Sequence, residues 1–252
     1  MSQHKPSNPI RSAIVTGTSS GIGLSVAQRL LSEGWYVHGI DQKPAVIAHD
    51  HFQAWIADLC LPNQIDEVLH PLLTSPVQAL VHAAGVMRLG SLEQIDPIDG
   101  EMMWKLHVDA AVRLGQRVLP LMRQAQQGRV VLIGSRVSSG MPGRSLYAAS
   151  KAGLIALAKS WAAELVRDGV TVNVVSPAAT ETPMLLNPQR SHAPPRVPPI
   201  GRLIQAQEVA ALVNFLLQDE AAAMTGQELV LCGGASLVNR LRASMNASSP
   251  LK

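Results

Sequence analysis

Tyr147 and Lys151 stand four residues apart in Ser145-Leu146-Tyr147-Ala148-Ala149-Ser150-Lys151-Ala152-Gly153, a run rich in Ala, Leu and Ile. On a helix that spacing sets both side chains on one face, a turn apart. A phenol has a pKa near ~10 and is a poor base at neutral pH. A nearby ammonium favours the phenolate and draws that pKa down. The pair is a way of building a group that gives and takes a proton near neutrality. A Lys four residues after a Tyr is also common on solvated helix faces. The pair gains meaning only if the rest of the chain gives a proton a reason to move.

That reason begins near the start of the chain. Ala13 to Thr16 is a short apolar run stopped by glycine, as in a buried strand. Thr16-Gly17-Thr18-Ser19-Ser20-Gly21-Ile22-Gly23 follows, then a helical pattern from Leu24 to Leu31 and a second strand, Tyr36 to Ile40, ending at Asp41. Gly17, Gly21 and Gly23 therefore fall between strand and helix of a βαβ unit. Glycines there let the backbone turn tightly and approach a pyrophosphate, with Ser19, Ser20 and Ile22 beside it and the helix N-terminus favouring its charge. The alternative is a glycine-rich turn with no ligand. Asp41 can accept hydrogen bonds from the adenosine ribose and would repel a 2′-phosphate. No Arg or Lys stands in the glycine loop, although Lys43 is close, so the expected cofactor is NAD rather than NADP.

The elements that must position these groups alternate along the chain. Strand patterns occur at Phe52 to Ile56, followed by Asp58-Leu59, and at Ala79 to His82, running into Ala83-Ala84-Gly85. Further strands are Arg129 to Ile133, leading to Ser135; Val170 to Val175, leading to Pro177, Ala179, Thr180 and Thr182; and Glu228 to Leu231. Helical patterns cover Ile65 to Leu73, Ile98 to Gln126, Leu146 to about Arg167, and Glu208 to Leu217, with irregularities in the long one expected at Gly115 and Pro120. This alternation predicts an α/β chain with one doubly wound parallel sheet. Ser135 then sits at a strand's carboxyl end, where open sheets bind ligands. Residues 1–11 read as a loose arm, 12–238 as the dinucleotide-binding domain and 239–252 as a flexible tail. The Pro- and Arg-rich stretch 183–203 reads as a substrate loop or as an ordinary surface connection.

Composition excludes other classes. An apolar fraction of 47% over 252 residues can fill a large core. No uninterrupted apolar run reaches membrane-spanning length, and Met1 to Arg11 has no signal-like apolar stretch, so no membrane role is expected. Cys60 and Cys232 stand in unrelated contexts, which predicts a reducing, cytoplasmic setting without disulfides. His49 and His51 lack further ligands nearby, so no metal is expected. The charge of +3 is mild and no basic run is interleaved with aromatics, which argues against nucleic acid.

Taken together, Thr16-Gly17-x3-Gly21-Ile22-Gly23, Asp58-Leu59, Ala83-Ala84-Gly85, Ser135, Tyr147-x3-Lys151, Pro177 with Thr182, and Gly233-Gly234 resemble the short-chain dehydrogenase/reductase family across residues 10 to 238. The resemblance implies a Rossmann-type sheet of seven parallel strands with helices on both faces, an NAD(P) cofactor, and redox chemistry on a small alcohol or ketone. It implies a homotetramer built on the two long central helices and the C-terminal strands. It assigns Asp58 to the adenine amino group and Thr182 to the nicotinamide carboxamide. Ser135, Tyr147 and Lys151 become catalytic, together with His107 at the position of the family's fourth catalytic residue, with Lys151 also on the nicotinamide ribose. The chain departs from the pattern in four ways. His82 stands for the usual Asn before Ala83, and His107 for the catalytic Asn of the long helix. Ala178 replaces a glycine after Pro177, and the interval from Ser135 to Tyr147 is one residue short, which leaves Ser138 and Ser139 as competing candidates. Gly39-Ile40-Asp41-Gln42 and Ala84-Gly85-Val86-Met87-Arg88-Leu89-Gly90 are similar to 2,3-dihydro-2,3-dihydroxybenzoate dehydrogenases within the family, which implies a cyclic alcohol or dihydrodiol. Arg88, Arg136, Arg144, Arg190 and Arg196 would suit a carboxylated substrate, a solvated surface being the blander reading. The competing functional reading is a dinucleotide-binding protein with little or no catalysis, a sensor or scaffold.

Overall fold

The computed structural model describes residues 10–186 and 196–237. Most of the expected arm, the tail 239–252 and residues 187–195 of the expected substrate loop, Arg190 included, lie outside the described residues. The elements in order are β1 Ser12–Thr16, α1 Gly21–Ser32, β2 Tyr36–Asp41, β3 Phe52–Ile56, α2 Pro62–Leu72, β4 Ala79–His82, α3 Pro97–Trp104, α4 Ala110–Gln124, β5 Gly128–Ile133, α5 Ser145–Leu165, β6 Val170–Pro177, β7 Thr180–Glu181, β8 Ile204–Gln205, α6 Ala206–Leu216 and β9 Glu228–Leu231. Seven strands form one sheet in the order β3-β2-β1-β4-β5-β6-β9, every pairing parallel. This is the Rossmann-type architecture.

The core lies in two layers because the central strands are apolar on both faces. On one face α2, α4 and α5 pack Leu69, Leu114 and Leu154 against Ile14, Leu80, Leu132 and Val174. On the other, α1 and α6 pack Leu30 and Val213 against Val15, Val81, Val131 and Val175. The alternation of neighbours along β1, with Ile14 to one layer and Val15 to the other, is the period-2 geometry of a strand.

Successive strands run outward from β1 through β2 to β3, then return to β4 on its other side. The switch point thus falls between β1 and β4, where a doubly wound sheet opens a crevice at the strands' carboxyl ends. The glycine turn after β1 and Ala83-Ala84-Gly85 after β4 meet there.

The long helical stretch differs from expectation. Gly115 and Pro120 both lie within the continuous α4. The break comes earlier, as a π turn over Lys105–Asp109 in which the Ala110 N–H bonds the Lys105 carbonyl. Hydrophobic periodicity locates helix faces but does not reveal one inserted residue, and π turns of this kind are frequent at functional sites. The two-residue strands β7 and β8 were also unanticipated, being too short for an alternating pattern. Among the described residues no helix is long and apolar enough to cross a membrane.

Candidate active site

The glycine turn is shaped by contacts that exclude side chains. Gly17 has φ of +78°, and a Cβ on it would lie 3.0 Å from the Ala84 backbone. A Cβ on Gly23 would lie 2.2 Å from the Gly17 carbonyl oxygen, so the first turn of α1 presses directly on the loop. The Gly17 N–H donates to the Ile40 carbonyl at 2.8 Å, tying the turn to the end of β2. Asp41 completes the tie: its Oδ2 accepts from the Ser19 N–H at 3.0 Å and from the Ser19 hydroxyl at 2.8 Å. Its Oδ1 accepts from the Lys43 N–H at 2.9 Å. Ser20 and Ile22 lead into α1, with Ile22 packed on the core layer beneath. Thr182 lies across the turn, its methyl 3.3 Å from where a Gly21 Cβ would be. Pro177 ends β6, Ala179 accepts from the Ile204 N–H, and the Thr180 hydroxyl bonds the Ala178 carbonyl at 3.0 Å. Asp58 follows β3, its Oδ1 accepting from the Cys60 N–H at 2.9 Å, with Leu59 buried behind it.

The second half of the site gathers around α5. Tyr147 and Lys151 are both buried, 7% and 4% exposed, which separates them from the solvated pair that the spacing alone allows. The Lys151 ammonium lies 5.9 Å from the centre of the Tyr147 ring and donates to the Ile133 carbonyl at 2.8 Å. Burial pulls the Lys151 pKa down to about 7, so its proton is labile at neutral pH. Ser135 stands just beyond β5 and its Oγ accepts from the Val137 N–H at 3.2 Å. The two competing serines point elsewhere: Ser138 Oγ reaches Glu228 and Ser139 Oγ the Arg136 carbonyl.

His107 sits in the π turn with 0% exposure, edge-on to the Tyr147 ring at 5.7 Å between centres. Its Nε2 accepts from the Val86 N–H at 3.1 Å, and its Nδ1 is 2.9 Å from Ser150 Oγ. Ser150 Oγ in turn donates to the Tyr147 carbonyl at 2.9 Å. Burial first, then Lys151 and His82, hold the His107 pKa well below its ordinary value, so the ring is neutral. A Cβ on Gly85 would come within 3.1 Å of His107 Nε2 and 3.5 Å of Lys151 Nζ, so Ala83-Ala84-Gly85 closes this pocket as well as the glycine turn.

Three polar residues without a role in the sequence reading make bonds in the site: Thr16 and His82 stand there only as parts of motifs, and Ser150 is not singled out. Thr16 accepts the Ala83 and Ala84 N–H groups on its hydroxyl, at 3.0 and 2.9 Å. Ser150 links His107 to α5, and His82 reaches Leu106. Each is a polar residue at an otherwise apolar, buried position, and that was the available signal. The basic residues are less suggestive than in sequence. Arg88 pairs with Asp99 at 3.4 Å, and Arg202 grips Glu208 through two nitrogens. Beside the start of α5 a small cleft is lined by Arg88, Asp96, Asp99, Arg144 and Leu146, so its charge is mixed. No group of three or more His, Cys, Asp or Glu side chains fit to hold a metal exists among the described residues.

A family model described as enoyl-(acyl carrier protein) reductase matches residues 17–236. The chain is 37% identical to 3-oxoacyl-(acyl-carrier-protein) reductase FabG of Escherichia coli (strain K12) over 238 residues, covering 90% of this chain and 97% of that one. It is 32% identical to 2,3-dihydro-2,3-dihydroxybenzoate dehydrogenase of the same organism, over 88% of this chain and 96% of that one. It is 30% identical to (2S)-((R)-hydroxy(phenyl)methyl)succinyl-CoA dehydrogenase subunit BbsD of Thauera aromatica, over 90% and 97%. With the parallel sheet, the glycine turn at its switch point and the buried Tyr147–Lys151 pair, these matches place the chain in the short-chain dehydrogenase/reductase family.

Proposed function

We propose that this chain is an NAD-dependent oxidoreductase that interconverts a secondary alcohol and a ketone, with Tyr147 as the acid/base. The observation that carries the cofactor is Asp41. The ion pairs of the described residues leave its carboxylate without a cation. Ribose hydroxyls can donate to such a group. A 2′-phosphate would meet a like charge, about 4 kcal/mol for unit charges 4 Å apart at an effective dielectric near 20. The glycine turn has the close backbone packing expected of a dinucleotide-binding turn, with Gly17 against the Ala84 backbone and Gly23 against the Gly17 carbonyl.

When bound, the nicotinamide supplies or accepts the hydride. The chain supplies the rest. The Tyr147 hydroxyl gives a proton to the substrate oxygen or takes one from it. The Ser135 hydroxyl donates a hydrogen bond to the same oxygen. Lys151, titrating at about 7, favours the phenolate when charged and can take up or release a proton itself. His107, with both ring nitrogens engaged, holds the geometry. The buried placement of Tyr147 and Lys151 supports catalysis over the sensor or scaffold reading.

The named relatives act on a 3-oxoacyl group, a ring dihydrodiol and a hydroxy(phenyl)methyl group. That range supports a cyclic or acyclic secondary alcohol as the reacting group here. We further propose a cytoplasmic homotetramer using α4, α5 and the edge strand β9, in keeping with the two free cysteines and the exposed Leu121 and Val230. Titration of the protein with NADH and NADPH tests the cofactor. NADH is expected to bind at least about tenfold more tightly, and Asp41→Ala to erase most of that difference. A clear preference of the wild type for NADPH overturns the assignment.

A further inference from the structure

His82 ends β4 with 1% exposure, at a site where an apolar side chain would avoid any desolvation cost. Its hydrogen bonds have a single consistent assignment. The Thr16 hydroxyl oxygen accepts the Ala83 and Ala84 N–H groups, which occupies both of its lone pairs. Its own proton therefore goes to His82 Nδ1, 3.0 Å away. With Nδ1 accepting, the ring proton stands on Nε2 and is donated to the Leu106 carbonyl at 3.1 Å.

The neighbouring ring has the opposite tautomer. His107 Nε2 accepts from Val86 N–H, so its proton is on Nδ1 and goes to Ser150 Oγ. Ser150 passes its hydroxyl proton to the Tyr147 carbonyl. One directed chain of bonds thus runs from β4 through the π turn to the helix that carries Tyr147 and Lys151. Lys151 acts on both histidines and His82 on His107, with the Tyr147 ring edge-on to His107, and no carboxylate is among the causes that shift either histidine. Burial, then Lys151, brings the His82 pKa down to about 4, which keeps that ring neutral.

π turns recur at functional sites, and a side chain that reaches into the helical ladder is one cause of departure from α register. Leu106 is in that turn, and His82 is the group that reaches it. Return to α register would rotate His107 by about 100° about the helix axis, away from Val86 and Ser150. We propose that His82 is a positioning residue for the proton-transfer pair: its Nε2–H bond to the Leu106 carbonyl holds the π turn and, through it, the His107–Ser150 link to Tyr147 and Lys151. Its kinetic consequence rests on the reading of Tyr147 as acid/base; the bonds themselves do not.

Two amide variants separate this role from simple strand packing. The amide nitrogen of Gln reaches about as far as imidazole Nε2, whereas Asn reaches only as far as Nδ1. His82→Gln can keep the Leu106 bond, and His82→Asn can keep only the Thr16 bond. The proposal expects His82→Gln to hold kcat within about threefold of wild type and His82→Asn to lose about 10- to 100-fold, with the KM for the cofactor little changed in both. Equal losses, or better retention by His82→Asn, overturn it. Nitrogen-15 NMR of histidine-labelled protein without cofactor supplies a readout free of turnover. It should find His82 and His107 neutral with opposite tautomers at neutral pH, and His107 keeping its tautomer in His82→Gln but not in His82→Asn. The same tautomer on both rings, or a charged ring, overturns the proposal even if neither variant folds. If Tyr147→Phe remains active while the NMR pattern holds, the acid/base reading falls and the His82 lock stands.

Discussion

Lys151→Met should make the cofactor-free protein more stable while abolishing turnover. Lys151 is 4% exposed, and its ammonium is given one hydrogen bond, to the Ile133 carbonyl. Burial lowers its pKa from 10.5 to about 7. A difference of one in pKa between the folded and unfolded chain corresponds to about 1.36 kcal/mol, so the buried charge disfavours folding by roughly 5 kcal/mol where Lys151 is fully protonated. At pH 7 the folded state holds about half a proton there and the penalty is roughly 4 kcal/mol. Methionine removes the charge at similar length but gives up the bond to Ile133 and some packing, which leaves a gain of about 2–4 kcal/mol. The pH dependence has a definite sign. Between the folded value near 7 and the unfolded value of 10.5, the unfolded chain binds the proton and the folded chain does not. Wild-type stability therefore rises with pH across that window, by up to about 1.36 kcal/mol per pH unit, while the methionine variant lacks this contribution. The gap between the two should be constant below about pH 7, shrink above it and close near pH 10. Urea unfolding of both proteins at a series of pH values measures the gap directly, and the other titrating groups cancel in the difference. A destabilised variant, or a gap independent of pH, would refute the placement of Lys151 as a buried base whose pKa is lowered by burial.

Other consequences are sharp. Gly23→Ala puts a methyl carbon 2.2 Å from the Gly17 carbonyl oxygen, a backbone atom that cannot swing aside. It should lower stability by about 2 kcal/mol, a fall in Tm of about 4–8 °C, and weaken cofactor binding in a fluorescence titration. Asp41→Ala should weaken NADH binding and strengthen NADPH binding until their dissociation constants, read in the same titration, lie within a few-fold of each other. The His82 variants should rank Gln above Asn in kcat.

Much of the site was readable because its chemistry depends on spacing. The glycine turn, Asp41 and the Tyr147–Lys151 interval are local, and each fell on the element that its pattern implied. The apolar runs gave the strands, since strands buried on both faces need no partner to be recognised. Ser135 was harder to choose, with three serines in five residues; Ser138 and Ser139 turn their hydroxyls to Glu228 and to the Arg136 carbonyl, which supports the choice without testing its role. What stayed hidden was long-range. Nothing near His82 in the chain indicates Leu106, which is 24 residues away, and nothing near His107 indicates Ser150, 43 residues away. The π turn was hidden for a different reason: it alters the register of hydrogen bonds without altering the apolar pattern. His107 stands where the family's catalytic Asn is expected, and the spacing gave no sign that Val86 and Ser150 engage both of its ring nitrogens.

The central claim is that Tyr147 moves the proton that accompanies hydride transfer. Tyr147→Phe removes one oxygen and keeps the ring that packs against His107. Absorbance of the reduced cofactor, followed across a panel of cyclic and acyclic secondary alcohols with wild type and variant at equal cofactor occupancy, tests it most directly. The expected result is a loss of about 100- to 10,000-fold in kcat with the dissociation constant for NADH unchanged. A variant that binds NADH normally and turns over at the wild-type rate would contradict it.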